Sequence, residues 1–248
     1  MNQLGGSALM ISRQDSQLGR GETVPDTART LSRFLDGIMI RTFGHDIIVE
    51  WAREAGIPII NGLTDLSHPC QALADLLTMR ECFGTLAGIA MAYVGDGNNV
   101  AHSLMLAAAR AGMDVRVATP KGYEADPEVT RMTADDAKAC GGRLLTTYDP
   151  VKAVDGAQVV YTDVWASMGQ EESHDARLAD FDGFQVNEGL MAHAAADAVF
   201  MHCLPAHRGE EVSAEVMDGP RSVVFDQAEN RLHAQKAVLF RLLAEPWD

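Results

Sequence analysis

The chain has 248 residues, 47% of them apolar and 22% charged, and its 35 acidic against 20 basic side chains leave a net charge of −15 at pH 7. The apolar share excludes a disordered chain and is enough for one large or two small cores. No apolar run nears the roughly 20 residues of a membrane span, and so acidic a surface repels nucleic-acid backbones, so that anionic ligands bind only where Arg and His gather locally.

In chain order, residues 8–11 read as a strand, 23–35 as a helix opened by Pro25 and Asp26, 37–41 as a strand, 45–55 as a helix and 57–60 as a strand. A long helix is predicted over 68–82, with Pro69 in its first turn. From Gly88 the alternation restarts, with a strand at 89–94, a helix at 99–111, a strand at 114–118, a helix at 127–140 and a strand at 143–147. Residues 157–164, 198–204 and 222–225 follow as strands, and 228–243 as the last helix. Continuous apolar strands between helices predict an α/β fold of two units, each a parallel sheet covered by helices on both faces. The expected division is a first unit at 1–82 ending in a bridging helix, a Rossmann-like unit at 83–226, and a C-terminal helix at 227–248 packing back on the first unit.

Four cysteines, Cys70, Cys82, Cys140 and Cys203, show no CxxC spacing, which points to a reducing compartment and hence the cytoplasm. Met1 to Ile11 lacks the basic region and the cleavage site of a signal peptide.

In open α/β sheets ligands sit at the carboxyl ends of the strands, so the loops there carry the functional reading. Gly95-Asp96-Gly97-Asn98-Asn99-Val100 approaches a dinucleotide turn, but Val100 stands where G-x-G-x-x-G needs glycine, and the next strand closes on Thr119, Pro120 and Lys121 rather than an acid. An NAD site is disfavoured; a tight turn, or two Asn binding a carboxylate or ammonium, remain. His68 and Gln71 lie three residues apart at a helix start, on one face with free backbone N–H groups that suit an anion. Asp163 ends a strand and suits an ammonium, with Ser167 beyond it for a carboxylate, although either also fits an ordinary cap. Cys203, in His202-Cys203-Leu204-Pro205, is a nucleophile candidate or an inert buried thiol; zinc is disfavoured because no second Cys/His pair has ligand spacing. Arg41 and Arg231 add cations, or surface ion pairs.

Together the strings Asp15-Ser-Gln-Leu-Gly19, Met39-Ile-Arg-Thr-Phe-Gly-His45, Ile60 through Gln71, Val94-Gly-Asp-Gly-Asn-Asn99, Asp163 through Glu171, His202 through Pro205 and Ala228-Glu-Asn-Arg231 resemble the ornithine carbamoyltransferase family. The Asp-x-x-x-Ser-Met-Gly loop with His-Cys-Leu-Pro is the most specific part. The resemblance implies carbamoyl transfer from carbamoyl phosphate to the δ-amine of L-ornithine, without redox cofactor or catalytic metal, in a homotrimer or a multiple of it. It places Arg41, His68, Gln71, Arg231 and the Cys203-Leu204 backbone on carbamoyl phosphate in the first unit, with Gln17 completing a neighbour's site. Asn99, Asp163, Ser167 and Met168 hold ornithine in the second unit, and Cys203 sits by the reacting amine, its thiolate orienting or accepting the proton. Arg41 and His68, with Cys203, form the catalytic group, stabilising charge on the carbonyl oxygen.

The family's main phosphate grip, a Ser-x-Arg-Thr-Arg segment, does not occur in these 248 residues. The resemblance is therefore to a member whose first unit is truncated at the N-terminus. The expectation is that the 248 residues alone are poorly soluble or inactive, while the longer gene product is an enzyme. An ornithine-binding or partner-subunit protein without catalysis is the alternative.

Overall fold

The computed structural model of the chain describes residues 1–12, 21–166 and 174–244, with the backbone only for 174–176. In chain order the elements are α1 (Val24–Leu31), β1 (Ile38–Arg41), α2 (His45–Glu54), β2 (Ile59–Leu63), α3 (Pro69–Phe83), β3 (Ala90–Val94), α4 (Asn99–Arg110), β4 (Asp114–Ala118), α5 (Pro127–Cys140) and β5 (Arg143–Thr147). Then come α6 (Pro150–Val154), β6 (Val159–Thr162), α7 (His174–Asp180), α8 (Glu188–Met191), β7 (Val199–His202), α9 (Ala214–Met217) and α10 (Val224–Leu243). The α/β class and the parallel sheets flanked by helices are as the sequence predicts. Among the described residues no helix is long and apolar enough to cross a membrane.

Five strands form a parallel sheet in the order β5-β4-β3-β6-β7. The chain starts at β3, winds outward to β4 and β5, then returns to β6 and β7 on the other side. The reversal lies between β3 and β6, and the crevice at their carboxyl ends is where such sheets bind ligands. Every residue of β3 and β6 is buried, so both faces of the sheet are covered. One core packs α4 against β3 and β4 through Leu104, Met105 and Tyr93; the other gathers Trp165, Phe181, Phe200 and Val212. Among the described residues the second sheet is made of β1 and β2, parallel, with a register shift between Ile40 and Arg41.

Local chemistry sets the helix starts beside the crevice. Asn98 caps α4 by accepting the Val100 and Ala101 N–H groups at 3.0 and 3.1 Å. Pro69 opens α3, where its missing N–H costs nothing, and Gly84, at φ 73°, ends it. Gly97 is required by a close approach: a Cβ there would lie 2.3 Å from the main-chain nitrogen of Ala125.

Three predicted strands change. Residues 8–11 have no strand partner, and Leu9 and Met10 are exposed, Met10 fully; an apolar run becomes a strand only where a ladder accepts it. The strand expected at 57–60 starts at Ile59 and runs on through Asn61, Gly62 and Leu63, because β1 continues alongside. Residues 222–225 contribute a single bridge, Ser222 to Phe200, before Val224 enters α10, which captures the β-branched pair. The helix expected at 23–35 ends at Leu31. The last helix is longer than expected and lies along α3, with Asn230 donating to Thr78 Oγ1 at 3.0 Å and to Glu81 at 2.6 Å.

Candidate active site

His68 occupies the N-cap position of α3, directly after the loop that follows β2. Its main-chain N–H donates to Ser103 Oγ of α4 at 2.6 Å, and its side chain is 5% exposed with no hydrogen-bond partner for Nδ1. Burial, then the charges of Arg231 and Arg41, bring its pKa down to about 4. At neutral pH the imidazole is uncharged, and two guanidiniums supply the positive field around it. One turn further along α3, Gln71 is buried; its Nε2 donates to Asp75 Oδ1 at 2.8 Å, and its Oε1 has no partner. Asp75 is fully buried and also accepts Gln227 Nε2 at 2.6 Å and the Tyr161 hydroxyl at 3.2 Å. Burial pushes its carboxyl up to about 7 against those three bonds and the charge of Arg231.

Across the crevice Asp163, Asn98 and Cys203 are paired with one another, while Trp165 Nε1 in the loop after β6 and Glu211 Oε2 behind His202 are buried without hydrogen-bond partners. Asp163, at the end of β6, accepts Asn98 Nδ2 on Oδ2 at 2.7 Å and the Cys203 thiol on Oδ1 at 2.9 Å. Burial, followed by the charge of Asp163 and the bond to it, holds the Cys203 pKa well above its ordinary value. This corrects the expectation of a thiolate: Cys203 is a protonated donor, and the carboxylate beside it is the acceptor. Leu204 has φ 61°, a left-handed conformation uncommon for a residue with a side chain. Its N–H donates to His202 Nδ1 at 2.8 Å, while His202 Nε2 faces buried Glu211 at 3.2 Å.

Two further contacts hold the walls together. Arg177 of α7 pairs with Asp96 at 2.7 Å, donates to the Trp165 carbonyl at 2.5 Å and lies over the Tyr123 ring, fastening the loop after β6 to the loop after β3. From α4, Asn99 Nδ2 donates to the Thr64 carbonyl at 2.5 Å, and His102 Nδ1 meets the Leu66 carbonyl at 2.9 Å. His102 Nε2 accepts the Asp126 N–H, which assigns the proton to Nδ1. With Ser103, three residues of α4 therefore grip the 64–68 loop.

The structure brings Arg41, His68, Gln71, Arg231, Asp163, Cys203, Leu204 and Asn99 around one crevice; Asn99 bonds to the opposite loop there, while its neighbour Asn98 meets Asp163. Gln17, Ser167 and Met168 lie outside the described residues. The sequence reading passes over Asp75, Gln227, Ser103 and Arg177. Of these only Asp75 leaves a local signal, an acid four residues after Gln71 in an otherwise apolar stretch of helix. Among the described residues two groups gather ligand atoms within 4.8 Å, Asp163 with His202 and Cys203, and His207 with Glu210 and Glu211. A metal at the first would have to break the Cys203–Asp163 bond and take a His202 nitrogen already in use.

The crevice joins a region of buried unpaired polar atoms under two guanidiniums to an acidic acceptor suited to an ammonium, the arrangement of a two-substrate group-transfer site. Residues 87–242 match the family profile described as aspartate/ornithine carbamoyltransferase, Asp/Orn binding domain, and residues 1–81 the one described as aspartate/ornithine carbamoyltransferase, carbamoyl-P binding domain. The chain belongs to the aspartate/ornithine carbamoyltransferase family. It is 61% identical over 244 residues to the ornithine carbamoyltransferase of Symbiobacterium thermophilum, covering 98% of this chain and 79% of that protein. To the ornithine carbamoyltransferase of Bacillus subtilis it is 58% identical, over 98% of this chain and 76% of the relative. The solved structure of ornithine carbamoyltransferase from Pyrococcus furiosus superposes with a TM-score of 0.96 at 56% identity, over 100% of this chain and 79% of that one.

Proposed function

We propose that the protein transfers the carbamoyl group of carbamoyl phosphate to the δ-amine of L-ornithine, giving L-citrulline and phosphate. The observation that carries this reading is the juxtaposition of His68 Nδ1 and Gln71 Oε1, buried without partners, with the Asp163–Cys203 pair opposite. A carbamoyl group offers an NH₂ to an acceptor and a carbonyl oxygen to a donor, and Arg41 and Arg231 suit its phosphate. The ornithine ammonium finds Asp163 and gives up one proton to that carboxylate or to solvent. Its neutral form attacks the carbonyl carbon, the carbon–oxygen bond to phosphate breaks, and the amine's surplus proton leaves with the phosphate. Charge growing on the carbonyl oxygen meets Arg41 as a cation and His68 as a neutral hydrogen-bond donor, since burial keeps the imidazole uncharged. Little covalent chemistry falls to the protein, so positioning supplies most of the acceleration.

In this reading residues 1–82 form the carbamoyl phosphate unit, 83–226 the ornithine unit and 227–248 the helix that returns to the first. Gln17, Ser167 and Met168 take the roles their motifs imply, and the protein works as a homotrimer in the cytoplasm. Support for assembly comes from the family resemblance together with exposed Phe34, Met39 and Phe43 around β1; support for the cytoplasm comes from the unpaired cysteines. The relatives named above are carbamoyltransferases, which leaves the binding-only alternative without support.

The test is the formation of citrulline and phosphate in equal amounts from the two substrates. It is run on the 248-residue chain and on a version with a relative's Ser-x-Arg-Thr-Arg segment joined ahead of Met1. Product from the extended version, with a rate lower by orders of magnitude in the shorter one, is the expected result. No citrulline from either, with ornithine still bound, would return the binding-only reading.

A further inference from the structure

The polarity of the Gln71 amide is set by a relay that begins on the backbone of β7. The main-chain N–H of His202 can only donate, and it donates to Gln227 Oε1 at 2.9 Å. That fixes the Gln227 amide with its nitrogen towards Asp75 Oδ1, at 2.6 Å, and towards the Tyr161 hydroxyl, at 3.1 Å. Asp75 then stands as acceptor to both amides on Oδ1 and to Tyr161 on Oδ2. Gln71 must present its nitrogen to Asp75, so its oxygen, buried and without a partner, is the atom turned away from the relay. The members come from α3, β6, β7 and α10, and none of Asp75, Gln227 or Tyr161 is exposed. The charged or titratable groups facing Asp75 are Tyr161 on β6, Arg231 on α10 and Cys203 after β7.

We propose that Asp75 and Gln227 are positioning residues that lock the Gln71 amide with its oxygen towards the carbamoyl NH₂, so that the site selects a carbamoyl phosphate over an acyl phosphate that has no N–H. This rests on the carbamoyl phosphate reading above. An acceptor that cannot rotate discriminates strongly, because a ligand without the matching donor leaves it buried and unpaired. If the relay is cut, the Gln71 amide turns freely, its nitrogen meets the substrate NH₂ part of the time, and the preference falls.

The test uses whichever form of the protein yields citrulline in the assay above, with acetyl phosphate, whose methyl replaces the NH₂, as a competitive inhibitor. Asp75→Leu and Gln227→Met are expected to raise KM for carbamoyl phosphate by roughly ten- to a hundredfold, the loss typical of one buried hydrogen bond gone wrong. The Ki for acetyl phosphate and KM for ornithine should stay within about threefold in both. Asp75→Asn, which keeps an oxygen for the two amides and turns its nitrogen to the Tyr161 hydroxyl, is expected to restore carbamoyl phosphate affinity to within about fivefold of the parent. If Asp75→Leu does not fold, Gln227→Met and Asp75→Asn carry the comparison. Parallel losses of acetyl phosphate affinity, unchanged KM for carbamoyl phosphate in Gln227→Met, or no rescue by Asp75→Asn would each overturn the proposal. Absence of citrulline from every form removes the underlying reading instead, and the proposal with it.

Discussion

The two walls of the crevice differ in how their polar groups are satisfied. On the wall built from β6, β7 and the start of α4, Asp163, Asn98, Cys203 and His202 all have partners within the protein, and the unpaired atoms nearby, Trp165 Nε1 and Glu211 Oε2, belong to other side chains. On the wall at the start of α3, Asn61 Oδ1, His68 Nδ1 and Gln71 Oε1 are buried and have none. A buried polar atom without a partner costs about 1–3 kcal/mol, so three of them within eleven residues mark a place where stability is set aside for a ligand. The paired wall works differently. In the proposed function an incoming ammonium would exchange with the Cys203 thiol for Asp163, for a smaller net gain. In that function the α3 wall would supply affinity for the carbamoyl group, and the paired wall would orient the amine.

The largest expected effect comes from breaking the paired wall at its centre. Asp163→Asn should lower kcat/KM for ornithine about a thousandfold, as removal of a preorganised charged partner does, while carbamoyl phosphate affinity measured by calorimetry changes by less than about threefold. If the two affinities fell together, the walls would not be separable as argued. Next, Arg177→Met should destabilise the chain by about 3 kcal/mol in urea melts, because Asp96 stays buried with its carboxylate uncompensated. A loss under about 1 kcal/mol would mean that the loops beside β3 and β6 do not depend on that pair.

A third measurement separates the walls by pH. The buried His68 has its pKa lowered from 6.5 to about 4, so between those values the unfolded chain holds the extra proton and stability rises with pH. Asp75 goes the other way: raised from 3.8 to about 7, it holds its proton in the folded state, and its contribution is lost as pH rises through about 7. The two oppose each other from about pH 4 to 6.5. Asp75→Asn removes one of them, so its stability relative to the parent should climb by about 1.4 kcal/mol per pH unit across that window. A parallel pair of curves would show that Asp75 has an ordinary carboxylate pKa. The smallest effect is chemical: with iodoacetamide at pH 8, mass spectrometry should find exposed Cys82 and Cys140 alkylated well before Cys203. Faster labelling of Cys203 would restore the thiolate.

The alternation of strands and helices, the bridging helix and the strand-end loops are all legible in the sequence, because each is a local pattern of apolar spacing and turn residues. Residues 8–11 and 222–225 mislead for one reason: a β-rich run says what a strand would look like, not whether a neighbouring strand is there to pair with it. Asp75 and Gln227 are 152 positions apart and meet only through packing of α3 on α10, so no window along the chain contains the relay. Cys203 shows the same limit for charge. Its residue type suggests a thiolate, but it is kept protonated by burial in the folded core and by a carboxylate 40 positions away.

The grip of α4 on the 64–68 loop has a consequence for anyone recombining this protein with its relatives. His68 takes its place at the head of α3 through Asn99, His102 and Ser103, residues beyond the bridging helix. A chimera joined between residues 84 and 88 therefore does not exchange self-contained modules. It keeps the His68 imidazole in register only if the incoming partner supplies the same three side chains, so the seam between the halves lies in α4 rather than at the turn where the chain crosses.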